Sequence, residues 1–463
     1  MVPVRHKVLA AAGAACLLFG AVVLTAVGAP SPDGDALRAE LRARLAAQGI
    51  EPMQPAPAYP EVLVELGRML FFDPELSGNR NISCATCHHP AFNAGDGLSV
   101  SFGTGGVGLG ASRELADGDL IPRNAPEIFN RAHPEWRSMF WDSRIRITDD
   151  GLENPAGDQL PAGFSGPLAM QAMFPVTSRD EMRGHPGGSA PDGRPNEVAI
   201  PSDDQFTEIW DLLIARLVAI PGYVEMFRAA YPDVAPEELT FRHAAEAIAA
   251  FEATAFTFTD APWDRWLAGD DAALDDQQVR GAALFYGEAG CATCHSGTLM
   301  TDQEHHNIGA PQLGPGRGAS APYDFGRQLV TNAPEDLFRF RTPPLRNVAL
   351  TGPWMHNGAF HVLEQAVRHH FAPELCWDDD FEFQGLEPEV AQTLHRHPGL
   401  RGAVLATLDP DLPDYRPSDQ DIADLLAFLE SLSSPSVASL NAWVPESVPS
   451  GLPVDTAPDR TGY

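Results

Sequence analysis

Cys84-Ala85-Thr86-Cys87-His88 and Cys291-Ala292-Thr293-Cys294-His295 are two copies of one pattern, Cys-x-x-Cys-His. In this pattern two thiols become thioethers to the vinyl groups of a haem, and the adjacent imidazole ligates its iron from one face. One copy alone is also compatible with a zinc half-site or a redox dithiol. Two copies, neither beside a second cysteine pair, read as two covalently attached c-type haems. Cys84, Cys87 and His88 would hold the first, and Cys291, Cys294 and His295 the second. Of the six cysteines, Cys16 lies in the N-terminal leader and Cys376 is left as a lone, structural thiol.

Outward from each pentapeptide the chain repeats itself. Glu65-Leu66-Gly67-Arg68-Met69-Leu70-Phe71-Phe72 precedes the first and Val279-Arg280-Gly281-Ala282-Ala283-Leu284-Phe285-Tyr286 the second. Both place apolar residues at helical spacing ahead of the haem loop, a weak internal repeat of one cytochrome c-like unit. Gln205–Ala230 and Pro236–Phe256 have helical periodicity, with Thr240 as a cap, and so do Val362–Phe371 and Ser418–Leu432. With 41 Gly and 42 Pro, long loops are expected, among them Thr148–Pro167 and Arg183–Asp203. The expected fold is mainly α: an N-terminal haem domain over 56–255 and a C-terminal one over 256–432, meeting near Ala255–Trp263. A linker at 31–55 and a low-complexity tail at 433–463 flank them, the tail with apolar residues that can pack back on the body.

Arg5, His6 and Lys7 precede an uncharged apolar run from Val8 to Ala29, the pattern of a signal peptide over 1–30 with a cleavage site at Val27-Gly28-Ala29. Pro30 after that site and the length of the run keep an uncleaved membrane anchor as the alternative. A lipoprotein reading of Cys16 is weaker, because Gly13-Ala14-Ala15 lacks the usual leading Leu. Either way the body is exported to the periplasm or its equivalent. The 31 Lys plus Arg against 63 Asp plus Glu give a net charge of −32, which repels phosphate backbones and argues against a nucleic-acid-binding protein.

Several further stretches resemble the bacterial di-haem cytochrome c peroxidases and MauG. They are Arg123-Asn124-Ala125-Pro126, Phe140-Trp141-Asp142-Ser143-Arg144, Gln171 followed by Glu181-Met182, Leu345-Arg346-Asn347-Val348, Leu350-Thr351-Gly352-Pro353-Trp354-Met355-His356-Asn357-Gly358 and Leu363-Glu364-Gln365-Ala366-Val367. The resemblance spans most of residues 60–432. It implies a peroxide site at the His88 haem, with Glu181 as distal acid–base group and Gln171 beside it. It also implies Trp141 as the aromatic group between the haems, and an interdomain Ca2+ held by Asn124 and the carbonyls of Thr351 and Pro353. A carboxylate suits the proton transfer that O–O cleavage requires, and oxygen donors suit a hard cation.

Two departures from the family pattern bear on mechanism. Many of these peroxidases carry a distal His about sixteen residues after the first motif, yet residues 90–132 contain none. The His88 haem is therefore expected to be open in its resting state, with the offset His133 a weaker candidate ligand. In the same region Gly103-x-Gly105-x-x-Gly108 fits a dinucleotide fingerprint, but with no strand before it the run reads as a flap. The second departure lies fourteen residues after His356, where the family places Met or Tyr and this chain has His370. His295 and His370 would then make a bis-His second haem, with His369 and Met355 as competing ligands and His305 and His306 as loop residues. The expected function is an exported peroxidase that draws electrons from a small cytochrome c or copper protein. A MauG-like oxidase acting on Tyr or Trp of a partner protein is the alternative, and a homodimer is left open.

Overall fold

Gly67 and Gly281 determine how the two halves are assembled in the computed structural model, which describes residues 32–456; the expected leader lies outside them. The Glu61–Phe72 helix leads into the first haem loop and crosses the Phe241–Ala255 helix. A Cβ on Gly67 would stand 1.8 Å from the carbonyl oxygen of Ala247, so only hydrogen lets the backbones meet. The Asp276–Phe285 helix leads into the second loop and crosses Asp419–Glu430, where a Cβ on Gly281 would stand 1.9 Å from the carbonyl oxygen of Asp424. Phe251 lies beside the first crossing and Phe428 beside the second, each packed on the aromatic pair that ends the leading helix: Phe71 with Phe72, and Phe285 with Tyr286.

Local chemistry sets where the helices begin. Asp275 and Ser418 accept backbone N–H bonds from Gln278 and Asp421, and the Thr240 backbone N–H donates to His243 Nδ1 at 3.0 Å. The Gln205–Ala230 stretch is two helices, Phe206–Val218 and Pro221–Ala230, because Pro221 cannot donate to the ladder but suits a first turn. Thr148–Pro167, expected as a loop, starts inside a hairpin: Ile145–Thr148 pairs antiparallel with Gly151–Glu153 and with Ser138–Met139. His305 and His306 form a short strand against Phe340–Arg341 rather than a loop.

The ends of the described chain are exchanged between the halves. The linker expected over 31–55 is instead a docked helix, Pro32–Ala47, whose Leu41 and Leu45 are buried with Ile50 in the C-terminal core beside Val279 and Phe285. Arg38 donates to Asp276 Oδ1 at 2.6 Å and to the Leu274 carbonyl at 3.1 Å, and Arg42 lies 4.0 Å over the Trp266 ring. The tail turns back onto the N-terminal half, burying Val437, Leu440 and Val448 in its core. Beyond them Ser450 Oγ donates to Asp73 Oδ1 at 2.7 Å, and Asp455 reaches the first haem loop. The Asp455 carboxylate accepts from the Thr86 hydroxyl and its carbonyl oxygen accepts from His89 Nε2 at 3.1 Å. Among the described residues no helix is long and apolar enough to cross a membrane.

Candidate functional site

Two cavities lie behind the two pentapeptides. The first, about 550 Å3, falls within the roughly 300–1,000 Å3 of cofactor sites. Cys84, Cys87 and His88 form one wall; Trp141, Gln171 and Glu181 border the same space. His88 Nδ1 lies 3.3 Å from the Ala94 carbonyl oxygen, which makes that nitrogen the donor and Nε2 the atom that would meet a metal, with the Pro126 carbonyl also near the ring. Burial pushes His88 down to about 4, so the ring is the neutral ligand form at ordinary pH. No other imidazole among the described residues borders this cavity. His133 stands outside it, accepting the Glu135 backbone N–H.

Glu181 belongs to a five-residue π-helical turn, Arg179–Arg183, a wide turn that recurs at functional sites. The turn is locked by its own arginines. Arg179 donates to Asp203 Oδ1 at 2.6 Å and to the Ala199 carbonyl at 3.1 Å, and the buried Arg183 donates to the Val198 carbonyl at 2.9 Å. Of the expected surface loop Arg183–Asp203, residues 185–187 and 191–195 are exposed, while Arg183, Gly184 and the 196–199 end are drawn into the body. From the other side the flap closes on the same turn, with the Thr104 N–H donating to the Glu181 carbonyl at 2.8 Å. The fingerprint glycines open no nucleotide-type helix. Burial raises the Glu181 carboxyl above the usual range, against the pull of Arg144 and a Ser178 hydrogen bond, which brings it nearer the pH at which it can exchange protons. The Gln171 side-chain amide makes no hydrogen bond to a described residue.

The second cavity, about 200 Å3, is a narrower slot walled by Cys291, Cys294, His295 and His370. The His295 and His370 ring centroids are 6.3 Å apart, a separation that admits one metal ion with bonds of about 2 Å on either side. His295 Nδ1 is 3.2 Å from the Met300 carbonyl oxygen and His370 Nδ1 is 2.8 Å from that of Ala366, which again frees both Nε2 atoms. His369 instead packs on Phe360 at 5.0 Å and does not border the slot. Met355 borders it. Burial pushes Cys84 and Cys291 up to about 12, and all five described cysteines are free of disulfides. The donor set and burial thus fit a c-type haem in each cavity.

Trp141 borders both cavities, with its Nε1–H donating to the Asn124 carbonyl at 3.0 Å. Asn124, Thr351 and Pro353 all border the second cavity; the Asn124 Nδ2 is committed to the Leu98 carbonyl, leaving Oδ1 available. On the wall of the slot, His306 bridges Asp302 (3.0 Å) and Asp409 (2.9 Å), and its bonds to Asp302 first, then to Cys294, push its imidazolium up to about 11. Among the charged groups on the first cavity to which sequence reasoning gave no role are Arg144, Arg317 and Glu252. Arg144 stood inside a quoted motif without a role. Glu252 sits unremarked in a helix, and Arg317 is carried over from the C-terminal half on a Gly-Arg-Gly turn.

The di-haem cytochrome c peroxidase family profile matches residues 61–272. The methylamine utilization protein MauG of Methylorubrum extorquens is 31% identical over 422 residues, 90% of this chain and 92% of its own. The cytochrome c551 peroxidase of Pseudomonas aeruginosa is 33% identical over 65% of this chain and 70% of its own. Among solved structures, a MauG-like protein associated with microbial copper homeostasis aligns with a TM-score of 0.56 at 26% identity, over 84% of this chain and 94% of its own. The di-haem peroxidase BthA of Burkholderia thailandensis shares the fold, with a TM-score of 0.55 at 21% identity over 88% of this chain and 92% of its own. Two haem-attachment motifs behind two buried cavities, together with these relatives, identify the chain as a member of the di-haem cytochrome c peroxidase family, to which MauG also belongs, and as an oxidoreductase.

Proposed function

We propose that the protein is an exported peroxidase that reduces hydrogen peroxide to water in the first cavity, with electrons arriving through the second. The observation that carries this is an asymmetry: the first cavity gathers Glu181 and Gln171 with a single imidazole, His88, whereas the second sets His370 across from His295. Bound in these cavities, the haems would supply redox-active iron, the first held by Cys84, Cys87 and His88 and the second by Cys291, Cys294, His295 and His370. The chain's own residues do the rest. His88, His295 and His370 are turned by backbone carbonyls so that Nε2 faces inward. Glu181 takes a proton from one peroxide oxygen and returns it to the other, and the unengaged Gln171 amide orients the substrate. Trp141 provides an aromatic bridge between the cavities.

The donor would be a small cytochrome c or copper protein. Asn124 Oδ1 and the Thr351 and Pro353 carbonyls would hold Ca2+ where the two halves meet, as neutral oxygen donors completed by water. A second reading, MauG-like oxidation of Tyr or Trp side chains in a partner protein, is favoured by the absence of a second imidazole in the first cavity; His370 in place of a family Tyr weighs against it. Steady-state turnover of the di-haem protein with peroxide and a reduced cytochrome tests the proposal. Turnover that falls about 100-fold or more in Glu181→Gln, with both haems retained, is expected. Negligible wild-type turnover beside a long-lived oxidised state after peroxide would favour the second reading instead.

A further inference from the structure

Glu181 can move a proton, but O–O cleavage also places negative charge on the departing oxygen, and no role assigned so far answers that charge. Arg144 faces the problem directly. It borders the same cavity as Glu181 and Gln171, its side chain only 15% exposed. Its carboxylate partner is shared: Arg144 Nη1 lies 3.2 Å from Asp142 Oδ1, while Asp142 is held more tightly by Arg123 at 2.7 Å and also faces Arg317 at 3.7 Å. The Nε and Nη2 hydrogens of Arg144 have no acceptor among the described residues. Its guanidinium carbon sits 3.4 Å above the centre of the Phe140 ring, which fixes the plane of the group without consuming a donor. The charge of Arg144 is felt at Glu181, and Arg317 adds a second cation from the other half of the molecule. The cavity therefore pairs a proton-transfer group with a braced cation whose Nε and Nη2 donors are uncommitted.

We propose that Arg144 is a catalytic residue whose uncommitted N–H groups stabilise the departing peroxide oxygen while Glu181 protonates it. The inference rests on the peroxidase reading. The O–O bond breaks with its electron pair leaving on the outer oxygen. Glu181 carries the proton of the inner oxygen to the outer one, which departs as water. Two electrons from the donor protein and two protons from solvent complete H2O2 + 2 e− + 2 H+ → 2 H2O. A fixed donor aimed at developing charge contributes about 10²–10³ in rate, which sets the expected effect.

The test uses the di-haem protein and two readouts. One is the rate of reaction with peroxide. The other is the affinity of the resting first haem for sodium fluoride, read by its absorption spectrum, which probes a hydrogen-bond donor to a bound anion without any turnover. Arg144→Gln is expected to slow the peroxide reaction about 100-fold and to weaken fluoride binding about tenfold. Two haems should remain attached and the resting spectrum should be unchanged, and Arg144→Lys should recover part of both losses. Retention of both properties within about twofold in Arg144→Gln would overturn the proposal. So would losses that appear, in Gln and Lys variants alike, only with haem loss or a changed resting spectrum, since that marks a residue that merely holds the cofactor. If wild-type protein does not reduce peroxide, the peroxidase reading falls on its own, and fluoride affinity still decides whether Arg144 presents its donors to the site.

Discussion

At the scale of single residues, the choice between His369 and His370 turns on which way one helix end faces. The two side chains follow each other at the end of Leu363–His369, about 100° apart around the axis, so only one can point into the slot. His370 does, with Nδ1 tied to the Ala366 carbonyl; His369 is packed on Phe360. On the proposed ligation His370→Ala converts the second haem from low-spin to high-spin, and His369→Ala leaves it low-spin. Low-temperature EPR of the two variants beside wild type, which should show one high-spin and one low-spin ferric signal, checks the assignment. Glu252 makes a different prediction. It is buried on the wall of the first cavity, one carboxylate oxygen has no partner, and burial pushes it up to about 8. Below its unfolded pKa of roughly 4.3 the carboxyl is neutral in both states. Between there and about 8 only the unfolded chain ionises, so stability falls as pH rises through that window and is flat above it. Glu252→Gln should flatten the slope of melting temperature between pH 5 and 8 and stabilise the protein at pH 8.5 by roughly 2–4 kcal/mol. A slope unchanged by the substitution would show that Glu252 does not titrate with folding.

Elements carry the internal repeat, and glycine carries the elements. Because a Cβ at Gly67 or Gly281 would collide with a carbonyl oxygen of the crossing helix, relief requires moving backbone rather than a side-chain tip. Gly67→Ala and Gly281→Ala should each cost about 3 kcal/mol or more, each lowering haem retention mainly in its own half, as denaturant titration and haem quantification of each variant would show. The leading helices were legible because a 3.6-residue apolar pattern runs straight into Cys-x-x-Cys-His. The Pro32–Ala47 helix was not, because Leu37, Leu41 and Leu45 are separated by Arg and Glu and nothing nearby in sequence announces the distant partner they bury against. The same limit hid the π-helical turn of Arg179–Arg183, which has no sequence period; Glu181 was found through family resemblance and not through its local pattern. Arg317 was illegible for a third reason: only tertiary folding brings residue 317 to a cavity whose other walls come from residues 82–252 and 341.

Across the whole molecule the two cavities share a wall, and Trp141 is the aromatic part of it. Its indole is 8% exposed, its Nε1–H is committed to the Asn124 carbonyl, and its own carbonyl accepts the Arg341 N–H at 2.7 Å, so its position is fixed from both halves. The exchanged ends reinforce that fixity, the N-terminal helix clasping the C-terminal core and the tail clasping the first haem loop. On the proposed electron path, an indole held this firmly would suit electron passage, since a rigid π-system would keep the gap between the cofactors constant. Glu127 and Arg341 also border both cavities, but neither offers a π-system of comparable extent. Trp141→Phe preserves most of the packing, removes the N–H and shrinks the aromatic system. Transfer of an electron from the reduced second haem to the oxidised first is expected to slow at least about tenfold, followed by stopped-flow absorbance after mixing with a reductant, while both resting EPR signals persist. An unchanged rate would place the route along the Glu127–Arg341 side of the shared wall and leave Trp141 a packing residue. A slowed rate with intact signals would separate the electron path from the ligation of either iron, because the altered side chain is hydrogen-bonded to Asn124 and not to His88, His295 or His370.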